Sequence, residues 1–167
     1  YDKYIFYSKL DENHRPKTIF RHEIGTPIKN DILIFEEKND RFTVGIDITS
    51  DEKYFIISSG DHTTSEVYYF LSDDKAPKPQ LFQKAKEGII YSINSWGKYF
   101  YIHTNYKAED FKICKCLHNK TNNWKDVVPA KDEVLVGGFT MLNNWMIRSE
   151  TINAIPKIFV KNLLTNK

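Results

Sequence analysis

A short aromatic and β-branched element returns along this chain at a nearly fixed interval, and that interval constrains the fold more than any local propensity. Lys53-Tyr54-Phe55-Ile56-Ile57 reappears 45 residues later as Lys98-Tyr99-Phe100-Tyr101-Ile102. Lys3-Tyr4-Ile5-Phe6-Tyr7 lies 50 residues upstream of Lys53, and a weaker copy, Asn144-Trp145-Met146-Ile147, starts 46 residues after Lys98. The two strongest copies each follow a tight polar turn, Ser50-Asp51-Glu52 and Ser95-Trp96-Gly97. Helical periodicity is hard to find between the copies. Strand-length apolar runs bounded by polar turns fill the space instead, as in Ile32-Leu33-Ile34-Phe35 and Phe42-Thr43-Val44-Gly45-Ile46. About four strands per repeat of this length match a β-propeller blade and no helical repeat.

The repeat serves as a ruler. Lettering the strands A to D, one blade spans residues 42–83, with A at 42–49, B at 53–59, C at 65–72 and D at 80–83. The next spans 89–128, with strands at 89–95, 98–104, 111–117 and 124–128. A partial blade, 1–37, begins on strand B and continues with C at 17–24 and D at 31–37. A last partial blade, 134–163, has A at 134–142, B at 144–149 and C at 156–163. The expectation is an all-β chain, a partial β-propeller of about three and a half four-stranded antiparallel blades. An arc of that size does not close a ring, so the chain reads as a fragment of one propeller domain; the Tyr at position 1 agrees.

Charge excludes some partners. The 24 Lys+Arg and 22 Asp+Glu leave a net charge of +2, without the lopsided, clustered positive charge that a nucleic-acid binder uses. With 41% hydrophobic and 14% aromatic residues the chain can bury a core, which argues against disorder. No apolar run approaches the ~18 residues of a membrane helix, and residues 1–4 lack the features of a secretory signal. Cys114 and Cys116 are badly spaced for a bridge with each other on an extended strand, and read as two free thiols in a reducing compartment. Neither they nor the scattered histidines, His14, His22, His62, His103 and His118, show zinc-ligand spacing, so no metal or cofactor is expected. His22 and His103 fall on strands, where a hydrogen-bonded structural imidazole is the plainer reading. Asn119-Lys120-Thr121 fits a glycosylation sequon, a triplet common by chance.

Asp11-Glu12-Asn13-His14-Arg15-Pro16, followed by Ile19-Phe20-Arg21-His22-Glu23-Ile24-Gly25-Thr26, resembles a stretch of the N-terminal propeller of the prolyl oligopeptidase family of serine peptidases, in its oligopeptidase B (protease II) branch. Asp31-Ile32-Leu33-Ile34-Phe35-Glu36-Glu37 and His62-Thr63-Thr64-Ser65-Glu66-Val67 continue the resemblance in the same order, and it thins beyond about residue 105 to the blade rhythm and Trp124-Lys125-Asp126-Val127-Val128-Pro129. The resemblance implies a cytoplasmic peptidase, or a periplasmic one, with a seven-bladed propeller over an α/β-hydrolase domain. The propeller would gate access by size, and the enzyme would cleave short peptides after Arg or Lys. The catalytic serine, aspartate and histidine of such an enzyme belong to the hydrolase domain, the implied partner in the same parent chain. No Gly-x-Ser-x-Gly nucleophile elbow occurs in these 167 residues, so no activity is expected of this segment alone. The alternative reading is an independent β-propeller interaction module without peptidase activity.

Strand alternation places the B–C and D–A loops at one end of each blade. The B–C loops are the richer ones, at 11–16, 60–64 and 105–110. Function concentrates on loops held by a rigid scaffold, so Asp11, Glu12, Arg15, His62, Thr63 and Glu66 are the candidates for addressing the hydrolase domain or a passing peptide. The plainer reading is that they cap turns and pair between neighbouring blades. Tyr54, Phe55, Tyr68, Phe70, Tyr99, Phe100 and Phe111 recur at like blade positions, which points to packing between sheets ahead of base or sugar stacking. Gly137-Gly138 lacks the context of a phosphate cradle and marks a bulge or a close approach. Open blade edges invite self-association.

Overall fold

The computed structural model describes residues 3–165. The first two residues of the blade placed at 1–37 therefore lie outside the described residues. Among the described residues, fourteen strands and a single-turn 3-10 helix at Ile28–Asn30 make up the regular structure. Among the described residues no helix is long and apolar enough to cross a membrane.

The strands form four antiparallel sheets, each a meander of sequence neighbours. They are β1 (Tyr4–Leu10), β2 (Pro16–Glu23) and β3 (Ile32–Glu36); β4 (Thr43–Ile48), β5 (Tyr54–Gly60), β6 (Ser65–Leu71) and β7 (Gln80–Gln83); β8 (Tyr91–Trp96), β9 (Tyr99–Thr104), β10 (Lys112–Leu117) and β11 (Lys125–Val128); and β12 (Val134–Leu142), β13 (Trp145–Ile152) and β14 (Ile155–Asn162). The chain is thus all-β, with the sheet pattern of a partial propeller. Two compact units divide it, Tyr1–Glu87 with the first two sheets and Gly88–Lys167 with the last two.

Each unit buries a core between its own two sheets. In the first, Ile19, Val44, Ile57 and Phe70 are buried together, with Phe6, Ile34 and Phe35 packed against them. Phe6 lies 4.4 Å from the Phe55 ring and 5.6 Å from that of Phe70, and Phe35 lies 4.6 Å from Tyr68. The recurrent aromatics Phe55, Tyr68 and Phe70 are therefore packing residues. In the second unit Tyr101, Ile113, Val128, Val136, Met141 and Met146 do the same work. Each such buried side chain contributes about 1.5–3 kcal/mol by leaving water. Phe111 also packs against this second core, but it precedes β10, which the sequence had begin at 111, with φ 64°, and its ring stacks on His103 at 4.7 Å.

A device the sequence does not announce recurs in three sheets. The register shifts by one residue between the last two strands of each: beside Ile34 in β3, Phe82 in β7 and Val127 in β11. Such bulges add local twist and re-aim side chains along an edge strand. Two further irregularities fall in β1 between Lys9 and Leu10 and at Gly137-Gly138, between Val136 and Phe139, where a Cβ on Gly137 would collide with the Ser149 side chain. Both thiols, Cys114 and Cys116, are free and buried on one face of β10. Burial pushes the Cys114 thiol up to about 12 and that of Cys116 to about 11, so neither is a reactive nucleophile at neutral pH.

Candidate functional site

Three connections of the first unit meet at one end of its sheets: the β1–β2 loop, the segment 37–42 between β3 and β4, and the β5–β6 loop. Each is shaped first by its own turn chemistry. Asp11 accepts hydrogen bonds from the backbone N–H groups of Asn13 (2.8 Å) and Arg15 (2.9 Å), while the Asp11 N–H donates to the Arg15 carbonyl at 2.8 Å. His14 takes the left-handed conformation the tight loop needs, with φ 58°. Asp61 does the same for the β5–β6 loop, accepting from the N–H groups of Thr63 and Thr64 and from the Thr63 hydroxyl at 2.8–3.0 Å. Gly60 permits the return of the chain, since a Cβ there would strike the Thr64 carbonyl.

Cationic side chains then tie the loops together. Arg15 pairs with Asp11 at 3.2 Å and donates to the Asp40 carbonyl at 2.6 Å. The buried Lys17 ammonium donates to the carbonyls of Asn39 (2.6 Å) and Phe42 (2.8 Å). Arg41 reaches from the middle segment to Asp61 at 2.7 Å and to Glu87 at 3.2 Å. Backbone hydrogen bonds from Thr63, reinforced by Arg41, hold the Asp61 carboxyl well below the usual carboxylate range. The Arg15 N–H lowers that of Asp11 in the same way.

Behind Arg41 lies a shallow cavity of about 490 Å³, lined in part by Glu37, Arg41, Glu66, Tyr68 and Glu87. Glu37 accepts a hydrogen bond from the Ser59 hydroxyl and one from the Asn39 N–H at 2.7 Å. Glu66 accepts from the Tyr68 hydroxyl at 2.8 Å and the Ala85 N–H at 3.2 Å. Desolvation, aided by Glu66, drives the Tyr68 phenol far above its ordinary value. The arrangement is a polar surface whose carboxylates are already engaged in hydrogen bonds and ion pairs. Among the described residues no group of three or more His, Cys, Asp or Glu side chains could hold a metal ion.

Of the residues singled out from sequence, Asp11 and Arg15 sit together in the β1–β2 loop, Glu66 lines the cavity, and Glu12, His62 and Thr63 lie exposed at the loop tips. Arg41, Asp61 and Glu87, which hold the site together, were not among them. Their signal was faint: an Asp-His-Thr-Thr sequence is a turn-capping pattern, but its pairing with Arg41 spans 20 residues.

A family model described as the prolyl oligopeptidase N-terminal β-propeller domain matches residues 1–167. The chain is 33% identical over 147 residues to Protease 2 of Moraxella lacunata, covering 81% of this chain and 21% of that protein. It is 30% identical over 163 residues to dipeptidyl aminopeptidase BI of Pseudoxanthomonas mexicana, covering 93% and 22%. The chain thus spans about a fifth of the length of these relatives. Among solved structures, oligopeptidase B from Trypanosoma brucei superimposes with a TM-score of 0.93 over 98% of this chain and 24% of its own, at 21% identity. Oligopeptidase B from Leishmania major gives 0.91 over 96% and 23%, at 19% identity. At these identities the two structures speak for the fold.

Proposed function

Because the chain belongs to the prolyl oligopeptidase family, through the N-terminal β-propeller domain of that family, we propose that it is the non-catalytic propeller segment of an oligopeptidase B-like serine peptidase. Its part in the longer enzyme is to restrict the active site to short peptides, which are cut after Arg or Lys by an α/β-hydrolase domain of the same parent chain. The observation that carries this reading is the propeller-domain match over residues 1–167 together with the likeness to Protease 2. The four sheets, two complete and two three-stranded, are read as 1–37, 42–83, 89–128 and 134–163 of one propeller domain. The polar loop end of the first unit suits the gate: Asp11, Glu12, Arg15, His62, Thr63 and Glu66 meet the hydrolase domain or the passing peptide. Two buried free thiols fit a reducing, cytoplasmic compartment.

The coding sequence flanking this chain tests the assignment. A downstream Gly-x-Ser-x-Gly segment is expected, and a reading frame with none would favour an interaction module instead. In the protein that carries both parts, Arg15→Ala with Glu66→Ala should change KM for peptides of increasing length while leaving kcat for a single-residue arginine amide unchanged. The 167-residue chain alone should not hydrolyse that amide. Turnover by the chain alone would overturn the proposal.

A further inference from the structure

The sheet β8–β11 carries a second feature, unrelated to the peptidase reading and contained wholly in the second unit. Lys115 on β10 stands directly opposite Lys125 on β11. Like charges facing each other across an antiparallel pair repel and destabilise the sheet. The bulge beside Val127 creates this arrangement. In an unbroken register counted from Ile113↔Val128, Lys115 would face Asp126, an ordinary ion pair; the extra residue puts Asp126 opposite Cys114 and brings Lys125 round to Lys115. Asp126 is then committed elsewhere, 3.0 Å from Lys112 and 3.2 Å from the Cys114 thiol.

The result is a basic hollow. A cavity of about 410 Å³ is lined by Tyr99, Lys115, Lys120, Asn123 and Lys125, with the inert Cys116 at its wall, and no carboxylate among the described residues lines it. The Lys115 ammonium lies 4.5 Å from the centre of the Tyr99 ring, and that of Lys98 lies 5.5 Å from it. A ring face stabilises an ammonium only weakly and offers no counter-charge. The same β10–β11 pair matches Lys112 to Asp126, so it has the means to neutralise a lysine, yet among the described residues no carboxylate pairs with Lys115 or Lys125. Bulges that re-aim side chains in this way are enriched beside functional sites.

We infer that the Lys115–Lys120–Lys125 hollow binds a small, multiply charged oxyanion, a phosphate ester or a di- or tricarboxylate. The three ammonium groups would hold it as point charges, with the Asn123 amide as a neutral donor.

Nuclear magnetic resonance titration of the full 167-residue chain tests this, with inorganic pyrophosphate and citrate as probes and sodium chloride at matched ionic strength as the reference. Binding should shift the amides of 98–99 and 115–125 along one saturable curve that chloride does not reproduce. Lys125→Gln should weaken it about tenfold, the usual loss for one charge-assisted contact, whereas Lys84→Gln, just after β7 in the first unit, should not. Without any anion Lys125→Gln should raise the melting temperature, because it removes the repulsion with Lys115. Should that variant fold poorly, Lys120→Gln, on the exposed turn, should weaken binding equally. Tighter pyrophosphate identifies a phosphoryl ligand, tighter citrate a carboxylate one, and equal binding the shared oxyanion chemistry. Shifts scattered over lysines elsewhere, shifts matched by chloride, or affinity unchanged in both lysine variants would overturn the inference.

Discussion

The first and last sheets are both three-stranded, and each leaves one face in water, but the two faces are made of different material. On β1–β3 the outward face carries Ile5, Tyr7, Lys9, Phe20, His22 and Leu33, and a polar network organises it. The Tyr7 hydroxyl donates to Asp31 Oδ2 at 2.5 Å, His22 Nδ1 lies 2.7 Å from Asp31 Oδ1, and the Lys9 ammonium sits 4.3 Å from the centre of the Phe20 ring. On β12–β14 the outward face carries Leu135, Leu142, Trp145, Ile158 and Val160, 44–69% exposed. The last sheet keeps its polar pair on the opposite, core-facing side, where Arg148 Nε meets the fully buried Glu150 at 2.8 Å. Two sheets of the same size thus place their carboxylate-centred networks on opposite sides, and only the first has such a network to keep its outward face hydrated at little cost.

The largest effect should come from the buried pair. Glu150→Ala leaves the Arg148 guanidinium, 4.7 Å from the centre of the Phe159 ring, without its carboxylate, and should cost about 3–5 kcal/mol in urea unfolding. Loss of less than a third of that would mean that water reaches the inner face, and the contrast between the sheets would fail. Asp31→Asn should cost less, because its network borders solvent. The variant keeps the shape of Asp31 but loses the anion that Tyr7 and His22 share. A melting temperature falling further in Asp31→Asn than in Glu150→Ala would reverse the ranking.

Acid separates the two units by another route. Desolvation lowers the His103 imidazole below its ordinary 6.5, against the opposing hydrogen bond to the Val136 carbonyl at 2.8 Å. The unfolded chain therefore takes up that proton first, and the stability that neutral His103 gives the second unit declines as pH falls below about 6.5. The first unit depends on carboxyls held below their ordinary 3.8: Asp31, through the Tyr7 and His22 hydrogen bonds, together with Asp11 and Asp61. Their contribution is complete above that value and disappears as pH falls through each folded value. Amide exchange at descending pH should show β9 and β12 losing protection before β1 and β2. His103→Gln should remove the early phase, and Asp31→Asn should blunt the late one. Simultaneous loss in both units would mean that one cooperative transition hides the difference.

How far the sequence foretold this depends on the scale. The strands were legible because aromatic and β-branched runs alternate with polar turns, and the 45-residue recurrence from Lys53 to Lys98 carried the propeller reading. The bulges at Ile34, Phe82 and Val127 were not, since one extra residue in a strand of four or five alters neither composition nor run length. That omission hid the Lys115–Lys125 confrontation. In the loop end of the first unit, Asp11 and Arg15 stood out as polar residues of a rich loop, and Glu66 as a charged residue just beyond another. Arg41 lies in the polar stretch 36–41 between two strand-length runs, where nothing local distinguishes it, and its bonds to Asp61 and Glu87 join positions 20 and 46 residues away. Pairing over such distances follows from sheet packing, which local pattern does not encode.

The smallest change in stability should come from the outward face of the last sheet, and there the comparison is sharpest. Ile158 and Val160 lie on β14, an edge strand, 69% and 55% exposed, next to Ile147 and Ser149 on β13. Replacing both with Thr keeps β-branching and removes apolar surface already in water, so unfolding should change by no more than about 0.5 kcal/mol per site. Association should respond more strongly. An exposed apolar face bounded by an unpaired edge is a surface that another strand or sheet can cover, and in the isolated chain a second copy is the nearest one. Light scattering at rising concentration should show a growing mean mass for the parent chain and a constant monomer mass for Ile158→Thr/Val160→Thr. The matched change on the first sheet, Ile5→Thr/Leu33→Thr, should leave association unaltered, because Tyr7, Lys9, His22 and Asp31 keep that face hydrated. If both double variants lower the mean mass equally, exposed apolar area alone governs association and the position of the polar network is irrelevant to it.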